Sequence, residues 1–243
     1  MKARDTLVYL AVKYSGDWHK IYNGVLKKED VDYEECEKVI SSLKCNYITL
    51  LDEEYPNYLK QTIKPPFVLF YYGDISLLKD NTNSIVVCGS RDINLQNRKA
   101  LTDYLTTNKA DKIIVSTLTT GTGELAIETG LKNGNKVIGV MASGIDNCRT
   151  YEKVKEQGLI ISEFPNDTPL EQVNIMARNR YLAMLGSEVL VSQITKQSGN
   201  NTIVMYGINY GKDIVVIPQP FESEYSNNEL IYEGAIPALL GVN

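Results

Sequence analysis

The chain has 243 residues, 43% of them apolar and 23% charged, with a formal net charge of −5. That balance excludes a disordered chain, and the lack of a basic excess excludes a protein that coats nucleic acid non-specifically. Residues 1–80 hold 11 Lys/Arg against 13 Asp/Glu and residues 81–243 hold 14 against 17, so any phosphate must be held at a focused site.

The opening stretch MKARDTLVYLAVKYSGDW has a short apolar run, broken by Lys13 and without a small-residue cleavage site. It reads as a helix start, not a signal peptide. Residues 1–45 read as short helices, and YEECEKVISSL puts Cys36, Val39, Ile40 and Leu43 at helical spacing. Tyr55-Pro56 and Lys64-Pro65-Pro66 punctuate the next stretch, after which PPFVLFYYGDISLL reads as a strand running into a turn at Gly73-Asp74. The polar cluster KDNTN sets a boundary near residue 80, between a small helical N-terminal region with its connecting strand (1–80) and a core domain (81–243).

Beyond that boundary, short Val/Ile-rich runs alternate with helix-length segments. The runs are 84–88, 112–116, 136–141, 159–164, 188–193 and 213–218, with helices expected near 95–107, 124–133, 149–157, 174–185 and 200–210. The runs are apolar on consecutive residues, the mark of parallel strands covered on both faces. The fold class expected is α/β, a doubly wound, mostly parallel, Rossmann-like sheet with a small helical N-terminal region. No apolar run approaches the roughly 20 residues of a membrane span.

Ligands of such sheets bind beyond the carboxyl ends of the strands, and the loops there share one chemistry. Gly89-Ser90-Arg91 follows the first run, Ser116 to Gly123 (STLTTGTG) the second, Ala142-Ser143-Gly144 the third and Ser198-Gly199 the fifth. Glycines admit close approach to the backbone, hydroxyls and helix-start N–H groups donate to anions, and Arg91 offers a bidentate clamp. The residues expected to face phosphate are Gly89, Ser90, Arg91, Ser116, Thr117, Gly121, Gly144, Ser198 and Gly199, each also consistent with an ordinary turn or N-cap taken singly. Arg178 is a further candidate, set against the alternative of an internal ion pair, for instance with Glu163. Glu124, Glu128 and Glu163 are the acids near these loops, and no paired constellation assigns them acid–base work.

The dinucleotide fingerprint and the Walker A pattern do not occur, which speaks against NAD binding and ATP hydrolysis. The four cysteines (Cys36, Cys45, Cys88, Cys148) make no C-x-x-C pair, and the lone His19 has no company at metal-ligand spacing, so no metal, cofactor or catalytic residue is assigned. Scattered thiols fit a reducing cytoplasm.

Gly89-Ser90-Arg91, Ser162-Glu163-Phe164-Pro165, Arg178-Asn179-Arg180, Ser198-Gly199 and NNELIYEGA (227–235) occur in that order. Together they resemble the DprA/Smf family over roughly residues 50–235. The resemblance implies a Rossmann-like core that binds single-stranded DNA, protects it and helps load a RecA-type recombinase during natural transformation, without hydrolysis or a metal and as a homodimer. It places DNA phosphates on Ser90, Arg91, Ser116 and Lys136. The chain departs from the family pattern at Thr120 and Gly123 in the second loop, at Ile127, and at Pro218-Gln219 where the family has proline-glycine. It is also expected to lack a winged helix after the core. The second reading is a binder or hydrolase of a small nucleotide in the same crevice.

Overall fold

The computed structural model describes residues 2–147, 151–220 and 224–239. In chain order its elements are α1 (Ala3–Lys13), α2 (Trp18–Leu26), α3 (Tyr33–Ser42), β1 (Asn46–Thr49), α4 (Asn57–Lys60), β2 (Val68–Gly73), β3 (Ser84–Cys88), α5 (Leu95–Asn108), β4 (Ile113–Thr117), α6 (Thr122–Lys132), β5 (Val137–Val140), α7 (Glu152–Gln157), β6 (Leu159–Ser162), α8 (Gln172–Leu182), β7 (Glu188–Val191), α9 (Asn201–Asn209), β8 (Asp213–Val216), α10 (Asn227–Tyr232) and β9 (Ile236–Pro237). They form two compact units, residues 1–79 with 141–178 and residues 80–140 with 179–243. No helix among the described residues is long and apolar enough to cross a membrane.

In the first unit, aspartates start two of the three N-terminal helices. The Asp17 carboxylate accepts from the His19 and Lys20 N–H groups, and that of Asp32 accepts from the Glu35 N–H. Leu7 to Ala11 of α1 are all buried, so that helix is enclosed by its neighbours on every side. The proline-rich approach to β2 is fixed by two donors, Trp18 Nε1 to the Pro65 carbonyl and the Tyr55 hydroxyl to the Pro66 carbonyl, both at 2.9 Å. β2 lies between β1 and β6 and pairs antiparallel with each. Its Val68, Leu69 and Phe70 are buried on consecutive residues, so both faces of the strand are covered.

The second unit holds a parallel sheet in the order β5-β4-β3-β7-β8-β9. All five residues of β3, the central strand, are buried, as the consecutive Val/Ile pattern requires. Ile85, Val86 and Val87 are fully buried, each worth about 1.5–3 kcal/mol relative to exposure.

The expected runs form strands. Residues 159–164 give β6, and the strand antiparallel to it, β2, lies outside the six runs. The sequence reading sets one boundary near 80, whereas the chain passes between the units near residues 80, 140 and 178. A consecutive apolar run reports burial on two faces and does not say which compact unit a strand joins. The helix expected over 149–157 is α7, and positions 149 and 150 lie outside the described residues.

Candidate functional site

In the second unit the chain advances from β3 outward through β4 and β5. It then returns to the other side of β3 as β7 and advances through β8 to β9. The winding therefore reverses between β3 and β7. Loops leaving the carboxyl ends of two such strands turn apart and open a crevice. Gly89-Ser90-Arg91 and Ser198-Gly199 flank it, and the loop after β4 adjoins the first of them.

The loop after β3 is held at almost every residue. The Gly89 carbonyl accepts from Asn200 Nδ2 (2.7 Å), and the Ser90 carbonyl accepts from the Thr122 N–H (3.0 Å). The Ser90 N–H donates to the Gln193 carbonyl (2.6 Å), and the Ser90 hydroxyl oxygen accepts from the Asp92 N–H (3.0 Å). Gln193 Nε2 donates to the Asp92 carbonyl and Gln193 Oε1 accepts from the Asn94 N–H, both at 3.1 Å. Asn94 then caps α5 by accepting from the Asn97 N–H (2.8 Å). The loops after β3, β4 and β7 are thus tied into one frame.

Arg91 stands out from that frame. It is exposed and makes no ion pair among the described residues. Arg98, on α5, is likewise exposed and unpaired among the described residues. Other cations of the unit are engaged: Lys99 with Asp103, Lys109 with Glu188 and Lys196 with Glu229.

The glycines of these loops divide into two kinds. A Cβ on Gly89 would meet Thr122 Oγ1 at 2.6 Å, one on Gly121 would collide with the Arg91 carbonyl, and one on Gly123 would collide with Thr117. Gly121 also has φ +86°. These three are required by loop-to-loop packing. Gly199 is exposed, has open space around its Cα and lies outside the left-handed region, so neither packing nor conformation demands a glycine there.

Several expected ligands have other duties. Ser116 is fully buried and its hydroxyl donates to the Val87 carbonyl (2.7 Å), bracing β4 against β3. Thr117 is buried, with its hydroxyl on that of Thr119 (2.7 Å). Ser198 lies in the crevice loop, and its hydroxyl oxygen accepts from the Asn200 main chain and side chain, both at 3.2 Å. Lys136 is exposed but precedes β5, where its carbonyl accepts from the Ile114 N–H. A four-residue strand of roughly 13 Å separates it from the carboxyl lip. Gly144 belongs to the first unit, where its N–H donates to the Thr168 carbonyl (2.7 Å) and a Cβ would strike Asn166. Arg178, also of the first unit, is only 5% exposed. The structure therefore gathers Gly89, Ser90, Arg91, Gly121, Ser198 and Gly199 into one frame, with Ser116 and Thr117 inside its walls.

What the sequence reading missed is a set of buried amides: Asn97, Gln193, Gln219 and Asn227. Asn227 Nδ2 donates to the Ser192 and Ile217 carbonyls, and its Oδ1 accepts from the Ile194 N–H. Their signal is faint. It consists of glutamines just past two strand ends and asparagines at helix starts. The Cys88 thiol, at the end of β3, is pushed up to about 12 by burial and stays protonated, which removes it as a nucleophile. The hydrogen-bonded frame thus carries an exposed guanidinium, that of Arg91, on the loop after β3.

A reversal crevice of this kind defines a Rossmann-like binding protein of the doubly wound class. The family model for DNA recombination-mediator protein A matches residues 46–240. Among individual relatives, the DNA processing protein DprA of Streptococcus pneumoniae is 31% identical over 196 residues, covering 77% of this chain and 68% of the relative. DprA of Bacillus subtilis is 26% identical over 200 residues, covering 78% and 67%. The solved S. pneumoniae structure superposes with TM-score 0.77 at 23% identity over 98% of this chain and 90% of that one. A Helicobacter pylori DNA processing protein A, solved to describe its single-stranded DNA binding mode, gives 0.67 at 24% identity over 80% and 91%. The chain belongs to the DNA recombination-mediator protein A family, DprA/Smf.

Proposed function

We propose that this protein is a single-stranded DNA-binding recombination mediator that holds the DNA backbone at the crevice between β3 and β7. The observation that carries this reading is Arg91, an exposed guanidinium unpaired among the described residues, on a loop fixed on both sides of it. Phosphate oxygens accept from the Arg91 guanidinium, the Ser90 N–H being committed to the Gln193 carbonyl, and the open backbone at Gly199 admits the strand on the facing side. Family membership favours a polymer over a small nucleotide. So does the single-stranded DNA in the description of the H. pylori relative.

The protein acts by binding, not by bond cleavage, and requires no metal. It protects single strands in the cytoplasm, works as a homodimer and hands its DNA to a RecA-type recombinase. With a net charge of −5, affinity arises from local contacts, and long-range repulsion between protein and DNA opposes it; the Debye length of about 8 Å at physiological salt limits that opposition to short range.

Fluorescence anisotropy with labelled oligo-dT and a duplex of equal length, at several salt concentrations, tests the reading. The expected result is preference for the single strand and a log–log salt slope near −0.7 per phosphate contacted. Binding without salt dependence, or an Arg91→Ala variant with unchanged affinity and slope, would sink it. Nucleation of a RecA-type recombinase on the same oligonucleotide, with and without the protein, tests the hand-over.

A further inference from the structure

Gln193 lies just past the end of β7 and is 1% exposed. Through one side chain and one carbonyl it holds three alternate residues of the neighbouring loop. Its carbonyl accepts from Ser90, its Nε2 donates to the Asp92 carbonyl and its Oε1 accepts from the Asn94 N–H. A neutral primary amide offers a donor and an acceptor on separate atoms of one terminal group without placing a charge in a buried site. The residue enclosed by these three bonds is Arg91.

We propose that Gln193 is the positioning residue for Arg91, fixing the loop in its DNA-competent form before the DNA arrives. The proposal rests on the reading of Arg91 as a phosphate contact. A loop ordered in advance loses little conformational freedom on binding. A loop released from the clamp binds with its affinity reduced by the fraction that remains competent. No contact between Gln193 and DNA is required.

The test compares wild type, Gln193→Met, Arg91→Ala and the double variant, with labelled oligo-dT as probe. Methionine keeps the length and bulk of the side chain and deletes both amide bonds. Gln193→Met is expected to bind about tenfold more weakly, as for a loop competent about one-tenth of the time. Its salt slope should shrink toward that of Arg91→Ala, by up to about 0.7. In the Arg91→Ala background it should add less than roughly twofold, because coupled residues do not add.

Amide hydrogen exchange, followed without DNA, should speed at least tenfold at Asp92 to Asn94 and stay unchanged within β3. A tenfold loss in both backgrounds, or unchanged affinity with unchanged exchange, overturns the proposal. Wild-type protein that ignores the oligonucleotide overturns the phosphate reading instead, and the exchange rates then decide the clamp by itself. Should Gln193→Met fail to fold, judged by far-ultraviolet circular dichroism and thermal unfolding, Gln193→Asn makes the same comparison. It is one methylene too short to reach both Asp92 and Asn94.

Discussion

Asn97 and Gln219, 122 residues apart in the chain, exchange two amide hydrogen bonds, Asn97 Nδ2 to Gln219 Oε1 at 2.8 Å and Gln219 Nε2 to Asn97 Oδ1 at 2.6 Å. Both side chains are buried, and together they join the first turn of α5 to the loop after β8. Removing one partner strands the other, so Asn97→Ala is expected to destabilise the protein by about 1–3 kcal/mol in urea denaturation. The double variant Asn97→Ala with Gln219→Met is expected to lose less than the sum of the single changes. Strict additivity would mean that the pair is not a unit.

Arg91→Ala carries the reverse signature. The side chain is exposed and unpaired among the described residues, so stability should stay within about 0.5 kcal/mol of wild type. Binding of single-stranded DNA should weaken by about 1.5–3 kcal/mol, the range for a hydrogen bond to a charged group. Thermal unfolding and anisotropy on the same preparations separate the two effects.

Two glycines of the frame should respond in opposite ways. Gly121 combines φ +86° and ψ −130° with a position where a Cβ would collide with the Arg91 carbonyl. Gly121→Ala therefore costs about 1–3 kcal/mol of backbone strain before any steric overlap is counted. Gly199→Val meets open space, and stability should move by less than about 0.5 kcal/mol. Its branched side chain would stand where the strand is proposed to pass, so oligo-dT affinity should fall. A Gly199→Val variant that binds like wild type would remove Gly199 from the interface.

Thiol reactivity follows burial. With its titration pushed up to about 12 by burial, Cys88 stays a thiol near neutral pH, and thiolate is the reactive form. Cys36 is also buried and pushed up by desolvation. In a colorimetric thiol titration neither should react in the native protein, and both should react once denaturant is added.

In the first unit, the Glu29 carboxylate accepts from Lys13 Nζ and from the Tyr14 hydroxyl, each at 2.7 Å. The lysine and then the tyrosine hold its titration below the ordinary carboxylate range. The folded state thus favours the ionised form, a stabilisation present above the unfolded pKa and lost as pH falls through the folded one. Glu29→Gln should unfold at a lower temperature than wild type at pH 6, and the two curves should converge toward pH 3. A constant gap across that range would argue against the ion pair.

The strands were legible because β-branched residues on consecutive positions, as at Ile85, Val86 and Val87, leave few alternatives to a two-sided strand. The convergence of the loops after β3, β4 and β7 was legible from topology alone, since parallel strands deliver their carboxyl ends to one lip. The same rule puts Lys136, which opens a strand, on the far lip. Ser116 shows another boundary of sequence reasoning. A serine ending a strand has the composition of a ligand, and only the register decides whether its hydroxyl meets solvent or the next strand's carbonyl. The amides were least legible. Gln193 and Gln219 act on residues 99 to 122 positions away, and no local pattern reports such a partner.

The discontinuous build of the first unit bears on how the chain folds during synthesis. β2 needs β6, whose residues emerge from the ribosome only after the whole of β3, β4 and β5. At about 5–20 residues per second, Phe70 and its apolar neighbours await their antiparallel partner for several seconds. A fragment ending at residue 80 would leave one side of β2 without its partner strand and is expected to associate with itself. Chaperone demand should therefore be highest in that interval and subside once the segment through residue 178 has been made.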